Sequence, residues 1–232
     1  MGQLERSGSG SRHAVVTGAS SGIGRAIVEQ LLADGWRVTG LCRSPIEATD
    51  GFLKIGSVDV TDFAALRIMC DALGAVDAVV HAAGVMRTAP LDQLSHENGA
   101  AMWRLHVESA AFLADRPVPR MPADGRVVML GSRTTKGATT RSQYAATKSS
   151  LVGLARSCAA ELAPKGITVT SSRRTRRSCE IRRARQLARS FHRSGDSSPP
   201  SKSPHGPACF FLSPDGSAIT GQQIVMRGGA SP

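Results

Sequence analysis

Residues Thr17 to Gly24, TGASSGIG, constrain the possible folds of this chain more than any other stretch. The apolar run HAVVTG leads into them and the amphipathic run GIGRAIVEQLLADG leads out, so a predicted strand turns directly into a predicted helix. Glycines at 18, 22 and 24 allow a tight turn and let a pyrophosphate approach the helix N-terminus, where free N–H groups favour negative charge. A nucleotide site is therefore favoured over a plain tight turn.

The chain continues to alternate between short apolar runs and helical stretches up to residue 170. Further strands are predicted in WRVTGLC, GFLKIGSVDV, VDAVVHAAG, GRVVMLGS and GITVT, and helices in DFAALRIMCDAL, NGAAMWRLHVESAAFLAD and SQYAATKSSLVGLARSCAAELA. Helices between strands indicate right-handed βαβ units, and thus an α/β fold with a doubly wound parallel sheet. Since 232 residues with 41% apolar content can bury one core, we expect a flexible lead over 1–12 and a single domain over 13–232.

The chain shows no signal for a membrane, a disulfide framework or a metal. It has no run of 18 apolar residues, and its polar start MGQLERSGSGSRH has no apolar segment after the charges. We expect a cytoplasmic protein without a membrane partner. The five cysteines are widely spaced and form no CxxC pair, which favours free buried thiols over disulfides or a zinc site.

Three side chains that suit proton transfer occur together in GSRTTKGATTRSQYAATK, namely Ser132, Tyr144 and Lys148. Tyr144 and Lys148 are four residues apart on a predicted helix and so share one face. A free phenol, with a pKa near ~10, exchanges protons poorly at neutral pH, but a neighbouring ammonium stabilises its phenolate. Tyr144 could then act as acid and base towards a carbonyl oxygen that Ser132, at a strand end, holds by a hydrogen bond.

The TGxxxGIG turn, the YxxxK pair and the serine 12 residues before the tyrosine together resemble the single-domain short-chain dehydrogenase/reductase family, over about residues 13–170. This resemblance implies a Rossmann-like fold, a nicotinamide cofactor, and hydride transfer between that cofactor and a small-molecule carbonyl or alcohol. It also implies that Lys148 reaches the cofactor ribose beside Tyr144, and that helices like 142–163 form homodimers or homotetramers. The other cofactor contacts that we assign are Gly18, Ser20, Ser21, Gly22, Ile23, Gly24, Arg43, Asp59, Ala82, Ala83 and Gly84.

The end of the second predicted strand, LCRS, indicates which nicotinamide cofactor is used. Cys42 stands where the family's NAD-specific members carry an acid for the ribose hydroxyls, and Arg43 follows at once. Because arginine can pair with a phosphate through two hydrogen bonds, NADP(H) is favoured. An NAD(H) enzyme with a solvated Arg43 is the alternative. Asp59, in SVDVTD, is placed like the family's acid that bonds the adenine ring.

Two segments near the expected site depart from the family pattern. The family's NNAG is HAAG here, His81 to Gly84, so both asparagines are replaced and the strands need other hydrogen-bond partners. In MWRLHVESA, His106 replaces a catalytic asparagine of the family. Its imidazole could carry a water link to Lys148, in one tautomer only, or it could be a satisfied interior histidine.

The segment from 171 to 207 does not match the family. It holds nine arginines, nine serines, four prolines and Lys202 against Glu180 and Asp196, so much of the chain's net charge of +11 lies there. A Pro-Gly turn that would close over the nicotinamide and a substrate loop are missing, and the family pattern returns in FFLSPDGSAITGQQIVMRGGASP. This composition is typical of disordered or solvated chain, and we expect no unique packed structure between Ser171 and Pro207.

Three interpretations of this segment are open. IRRARQLARSF could form an amphipathic helix that meets nucleic acid or an anionic membrane, or the segment could be a solvated insertion without a role. The third is a displaced reading frame: with a shift of one base and suitable codons, TSSRRTRR becomes V-I-S-P-D-A-T and FHRSGDSSPPSKSPHG becomes P-S-V-G-R-F-I-P-P-E-Q-V-A-A-W. We favour this one because a single shift restores both missing elements, so we expect no nucleic-acid partner. The chain would then be a catalytically impaired nucleotide-binding fold.

Overall fold

One sheet of seven parallel strands forms the centre of the computed structural model, which describes residues 11–44, 53–174 and 207–226. The strands within these ranges are β1 (His13–Thr17), β2 (Arg37–Cys42), β3 (Leu53–Ser57), β4 (Ala78–His81), β5 (Arg126–Leu130), β6 (Thr168–Arg174) and β7 (Gln223–Met226). They lie in the order β3-β2-β1-β4-β5-β6-β7, and each neighbouring pair is parallel. The predicted parallel sheet is confirmed.

Helices cover both faces of this sheet. They are α1 (Gly22–Ala33), α2 (Phe63–Asp71), α3 (His96–Trp103), α4 (Ser109–Asp115), α5 (Ser142–Leu162) and α6 (Pro207–Leu212). Alternate residues of a strand point to opposite faces, so Val79 and Val127 pack with α2, α4 and α5, whereas Val80 and Val128 pack with α1 and α6. The predicted doubly wound α/β fold is confirmed. Within the described ranges, no helix combines the length and the apolar character needed to cross a membrane.

The strand order reverses at β1, and this reversal positions the site. From β1 the chain moves outward to β2 and β3 and then returns to β4, on the other side of β1. In open parallel sheets, the loops that leave the carboxyl ends of two such strands diverge and open a crevice for a ligand. Here those loops begin with Gly18 after β1 and with Ala82 after β4.

Strand β6 continues four residues beyond its predicted end. Ser171 and Ser172 are buried, and the stretch Ser171–Arg174 pairs with Gln223–Met226 of β7. The expectation of no packed structure from Ser171 onward is therefore wrong for these four residues, because β7 provides the backbone partners that a solvated segment lacks. Residues 175–206, which form the rest of the atypical segment before Pro207, and residues 1–10 of the predicted lead lie outside the described residues.

Candidate active site

Two glycines of the TGASSGIG turn lie in close backbone contact. A Cβ at Gly18 would lie 3.0 Å from the backbone N and Cα of Ala83, and a Cβ at Gly24 would lie 2.2 Å from the Gly18 carbonyl oxygen. Gly18 and Gly22 also have positive φ angles of 68° and 59°, which L side chains rarely adopt. The turn is therefore closed on itself and against the β4 loop by approaches that only glycine permits.

Helix α1 begins directly at this turn. Ser21 is its N-cap residue, and among the described residues the Ser21 side chain makes no capping hydrogen bond. The first turn of α1 carries no acidic side chain, and such a helix N-terminus suits an anion. Ser20 and Ile23 are half-buried here, whereas Ser21 and Gly22 are exposed. The predicted pyrophosphate contacts thus surround one positively polarised end of a helix.

Thr17 is the hydrogen-bond partner that holds the HAAG segment. Its Oγ1 accepts hydrogen bonds from the N–H groups of Ala82 and Ala83 at 3.0 Å each and lies 3.1 Å from Nδ1 of His81. A hydroxyl has one hydrogen and two lone pairs, so Thr17 donates to Nδ1 and the His81 proton lies on Nε2. Burial, with the nearby charge of Lys148, lowers the pKa of His81 to about 3. His81 is therefore neutral, and Thr17 supplies the hydrogen bonds that hold the HAAG segment.

Ser132 lies just after the carboxyl end of β5 and caps the 3₁₀ turn Arg133–Lys136. Its Oγ accepts a hydrogen bond from the N–H of Thr134 at 3.2 Å and lies 2.9 Å from Oγ1 of Thr134. Thr134 itself is buried. The Ser132 hydroxyl is therefore held in place by a residue two positions further along the chain.

Tyr144 and Lys148 lie one turn apart near the start of α5, as predicted. Lys148 is only 4% exposed, and its Nζ donates a hydrogen bond to the Leu130 carbonyl oxygen at 2.8 Å. Burial lowers the pKa of Lys148 to about 8. Because Leu130 lies two residues before Ser132, this bond ties α5 to the strand end that carries the serine. The Tyr144 ring meets the His106 imidazole edge-on, with ring centres 5.5 Å apart.

His106 is fully buried in a single π-helical turn, Arg104–Glu108, between α3 and α4. Its Nε2 accepts a hydrogen bond from the Val85 N–H at 3.1 Å, which places the ring proton on Nδ1. Nδ1 lies 2.8 Å from Thr147 Oγ1, which in turn donates to the Tyr144 carbonyl oxygen at 3.0 Å. Burial, with the charges of Lys148 and His81, lowers the pKa of His106 to about 3.

These contacts bear on the two alternatives for the His106 imidazole. Both ring nitrogens are bonded within the protein, so neither is free to carry a water link to Lys148. The interior-histidine alternative fits this geometry. Gly84 lies against the same groups, since a Cβ there would be 3.3 Å from His106 Nε2 and 3.4 Å from Lys148 Nζ. Gly84 of the HAAG segment therefore lies close to both His106 and Lys148.

Asp59 and Arg43 lie after the carboxyl ends of β3 and β2. Asp59 Oδ1 accepts hydrogen bonds from the N–H and Oγ1 of Thr61 at 2.9 and 2.8 Å. Burial opposes ionisation of Asp59, but these bonds and the charges of Arg43 and Arg104 outweigh it and lower the pKa of Asp59. Arg43 is exposed, and burial raises the pKa of the Cys42 thiol. The end of β2 therefore carries a positive charge, not the negative charge of an acid.

Sequence reasoning missed three threonines that hold site residues. Thr17 bonds the HAAG backbone, Thr134 bonds Ser132, and Thr147 bonds His106. Each lies one or two positions from a predicted site residue, namely Gly18, Ser132 or Lys148. Thr17 also belongs to the TGxxxGIG pattern. The sequence does not identify the partner atom of any of the three, because each partner depends on the fold.

Known proteins are similar to this chain in sequence and in fold. A family model described as short chain dehydrogenase matches residues 12–174. L-2,3-butanediol dehydrogenase from Corynebacterium glutamicum is 33% identical over 180 residues, covering 69% of this chain and 70% of that protein. The 3-oxoacyl-[acyl-carrier-protein] reductase of Escherichia coli K12 is 35% identical over 173 residues, covering 67% and 69%. A solved short-chain dehydrogenase/reductase from Serratia marcescens superposes with a TM-score of 0.76 at 25% identity, covering 94% of this chain and 96% of that one.

The matched range of the family model contains more than half of the chain, from β1 to the end of β6. It includes the glycine turn, the HAAG segment, and Ser132, Tyr144 and Lys148. The chain therefore belongs to the short-chain dehydrogenase/reductase family of NAD(P)-dependent oxidoreductases.

Proposed function

We propose that this chain transfers a hydride between NADP(H) and a carbonyl or alcohol substrate, as a ketone reductase or a 3-oxoacyl-type reductase. The observation that carries the proposal is the arrangement where the carboxyl end of β5 meets the first two turns of α5. There, a buried Lys148 is anchored to the Leu130 carbonyl oxygen beside Ser132, and Tyr144 lies one helical turn away.

The residues around the crevice fit a phosphorylated dinucleotide. Gly18 and Gly24 keep side chains away from the turn, and α1 presents its N-terminus without a competing acidic residue. At the end of β2, the exposed Arg43 supplies a cation for a 2′-phosphate, while Cys42 supplies no carboxylate for a free 2′-hydroxyl. When bound, the nicotinamide supplies or takes up the hydride. NAD(H), with Arg43 in solvent, is the alternative.

Each catalytic side chain has a separate task in carbonyl reduction. Tyr144 donates its phenolic proton to the substrate oxygen as the carbonyl carbon gains the hydride. The Lys148 ammonium offsets the charge that remains on the phenolate. Ser132 donates a hydrogen bond to the same oxygen as negative charge develops there. In alcohol oxidation the proton returns from the substrate hydroxyl to Tyr144.

His106 serves as a positioning residue in this scheme. It bonds the Val85 backbone on one side and, through Thr147, the backbone of Tyr144 on the other. A neutral ring in one tautomer makes both bonds without adding charge beside Lys148. His106 thus joins the β4 loop to the catalytic helix.

The substrate class rests on the loop after β4 and on the relatives. The loop after β4 is tied to the residues before Tyr144 by a hydrogen bond from the Ala89 N–H to the Thr140 carbonyl oxygen at 3.0 Å. From this loop Met86 and Leu91 project with 48% and 80% exposure, which suits a substrate with an apolar part. The names of the two relatives denote a diol and a 3-oxoacyl group, both within the carbonyl and alcohol class.

The test is the change in NADPH absorbance with a panel of 3-oxoacyl thioesters, 3-oxoesters, diketones and, with NADP⁺, vicinal diols. We expect turnover with at least one ketone and less than a hundredth of that rate in Tyr144→Phe. NADPH binding, followed by fluorescence of the reduced nicotinamide, is the control for an intact cofactor site. NADPH binding without turnover across the whole panel would contradict the proposed reaction.

A second candidate function follows from where the family match ends. The family model stops at residue 174, within the segment 171–207 for which we favour a displaced reading frame. On this proposal residues 175–206 do not supply the closing turn and the substrate loop, and the chain binds NADPH weakly with little turnover. A polyanion-binding role for the arginines is the less favoured form of this candidate.

Three experiments separate these forms. A hybrid in which residues 171–207 carry the shifted reading should regain both NADPH binding and turnover, and resequencing should reveal compensating one-base changes near codons 170 and 208. A clean gene together with full activity of the present chain would contradict the displaced frame. Salt-sensitive binding to DNA or anionic vesicles would support the polyanion form.

We also infer a cytoplasmic homodimer or homotetramer that assembles through α5, by analogy with the family alone. Light scattering after size exclusion would measure the assembly. A monomer at micromolar concentration that still turns over would contradict this inference.

A further inference from the structure

We propose that Thr134 is a positioning residue that directs the hydroxyl hydrogen of Ser132 towards the substrate oxygen. The proposal rests on the proposed function, in which Ser132 donates to that oxygen. It gives a reason why the buried residue 134 carries a hydroxyl group.

Thr134 is well placed for this role. It is only 4% exposed, and its Oγ1 lies 2.9 Å from Ser132 Oγ, where either oxygen could be the donor. The described residues offer no other hydrogen-bond partner to that Oγ1. The Thr134 backbone is held as well, since its N–H donates to Ser132 Oγ at 3.2 Å and its carbonyl accepts from the Gly137 N–H at 2.8 Å.

Hydrogen-bond counting gives the direction of each bond. A serine hydroxyl has one hydrogen and two lone pairs. One lone pair of Ser132 Oγ already accepts from the Thr134 N–H. If Ser132 donates its only hydrogen to a substrate oxygen, its second lone pair can accept from Thr134 Oγ1. Without substrate the Ser132 hydrogen can instead point at Thr134, so the threonine can reverse the direction of this bond.

The reversal matters most when charge develops on the substrate oxygen. Two donors on Ser132 Oγ polarise its O–H bond and strengthen the bond that it donates, because hydrogen bonds in a chain reinforce one another. Both donors also hold the Ser132 hydroxyl in one orientation. A valine at position 134 would keep the branched shape but leave Ser132 with the backbone donor alone, free to turn.

The kinetic test compares Thr134→Val, Thr134→Ser and Thr135→Val. We expect Thr134→Val to lower kcat by about tenfold with an unchanged Kd for NADPH, which is less than the 10²- to 10³-fold typical of removing a direct oxyanion donor. Thr134→Ser should restore kcat to within about twofold, since it returns the hydroxyl. Thr135→Val removes a neighbouring hydroxyl that bonds the Ser132 carbonyl oxygen instead of Ser132 Oγ, so it reports damage to the turn.

Full activity in Thr134→Val, or an equal loss in Thr134→Ser or Thr135→Val, would overturn the proposal. A second measurement is independent of turnover: crystal structures of the wild type and of Thr134→Val. We expect Ser132 Oγ in one position in the wild type and in a moved or split position in the variant. If the wild type shows no turnover, the proposed function fails, and the Ser132 position still decides: an unmoved oxygen refutes the role of Thr134.

Discussion

The two sides of the crevice are held together in different ways. On the cofactor side, residues 17–24 and 81–84, the tightest approaches are between backbones, and a Cβ at Gly24 would lie 2.2 Å from a carbonyl oxygen; the Thr17 side chain adds hydrogen bonds to the backbone of Ala82 and Ala83. On the catalytic side, the ends of β5 and α5 with His106, buried side chains reach across gaps by hydrogen bonds, such as Lys148 to Leu130 and His106 to Val85. The cofactor side should therefore be sensitive to added volume, and the catalytic side to lost hydrogen-bonding or charged groups.

The change with the largest expected effect removes one atom from the catalytic side. Tyr144→Phe keeps the ring and its edge contact with His106 but deletes the proposed proton donor, so kcat should fall by about 10²-fold or more. Isothermal titration should show NADPH affinity within about threefold of the wild type. Retained turnover would mean that another group transfers the proton. The catalytic side would then not be sensitive to the loss of this group, and the comparison of the two sides would fail there.

Adding one methyl group to the cofactor side should have the next largest effect. Gly24→Ala forces Cβ into the Gly18 carbonyl oxygen, a backbone atom that cannot turn away, so NADPH affinity should fall by about 30-fold or more and unfolding should become easier by about 2 kcal/mol. Gly153→Ala is the matched control, because that exposed helical glycine has nothing within 4 Å of its Cβ position among the described residues. The control should be neutral or slightly more stable. Equal behaviour of the two variants in urea unfolding and NADPH titration would refute the volume argument.

The charge at the end of β2 should determine the preference for NADPH over NADH. Arg43→Glu replaces a charge-assisted bond to the 2′-phosphate by a repulsion, so NADPH binding should weaken by about 2 kcal/mol, or about 30-fold, while NADH binding changes little. Fluorescence titration with both cofactors measures this difference. An equal loss for both, or none for either, would remove Arg43 from the site and favour the NAD(H) alternative.

Burial of Lys148 should make both activity and stability depend on pH. With its pKa lowered to about 8, Lys148 loses its charge as the pH rises above 8, and kcat should fall by about tenfold per pH unit beyond that point. The free energy of unfolding should rise, not fall, over the same increase in pH. Between pH 8 and the ordinary lysine pKa near ~10.4, the unfolded chain binds more protons at this residue, so the free energy of unfolding gains up to about 3 kcal/mol. Urea unfolding gives the free energy of unfolding of the wild type and of Lys148→Met at each pH, and the difference between the two isolates the contribution of Lys148. A difference that does not change between pH 8 and pH 10 would contradict the prediction.

The smallest expected effect comes from restoring the family's residue at position 106. If His106 only joins the Val85 loop to Thr147, the side-chain amide introduced by His106→Asn can still offer one acceptor and one donor, and kcat should stay within about threefold of the wild type or rise. His106→Leu, which offers neither, should lower kcat more than His106→Asn. A large loss in His106→Asn alone would indicate that the imidazole has a chemical role.

Local patterns predicted the parallel sheet and the position of the glycine turn because their causes are local. A strand's alternation and a glycine's φ depend on neighbours in the chain, and Tyr144 and Lys148 share a face through helix geometry alone. The same reasoning could not predict the continuation of β6 to Arg174. That continuation depends on β7, which follows about 50 residues later and pairs with Ser171–Arg174.

The sequence alone identified three parts of the site: the glycine turn, the basic end of β2, and the set of Ser132, Tyr144 and Lys148. It did not identify the protonation of the site. His81 and His106 are neutral, and Lys148 has a lowered pKa, because residues from separate elements exclude water around them. Likewise, Thr17 holds the HAAG segment across 65 and 66 residues of chain. Hydrogen-bond direction, tautomer and desolvation depend on distances of about 3 Å between groups that only folding brings together.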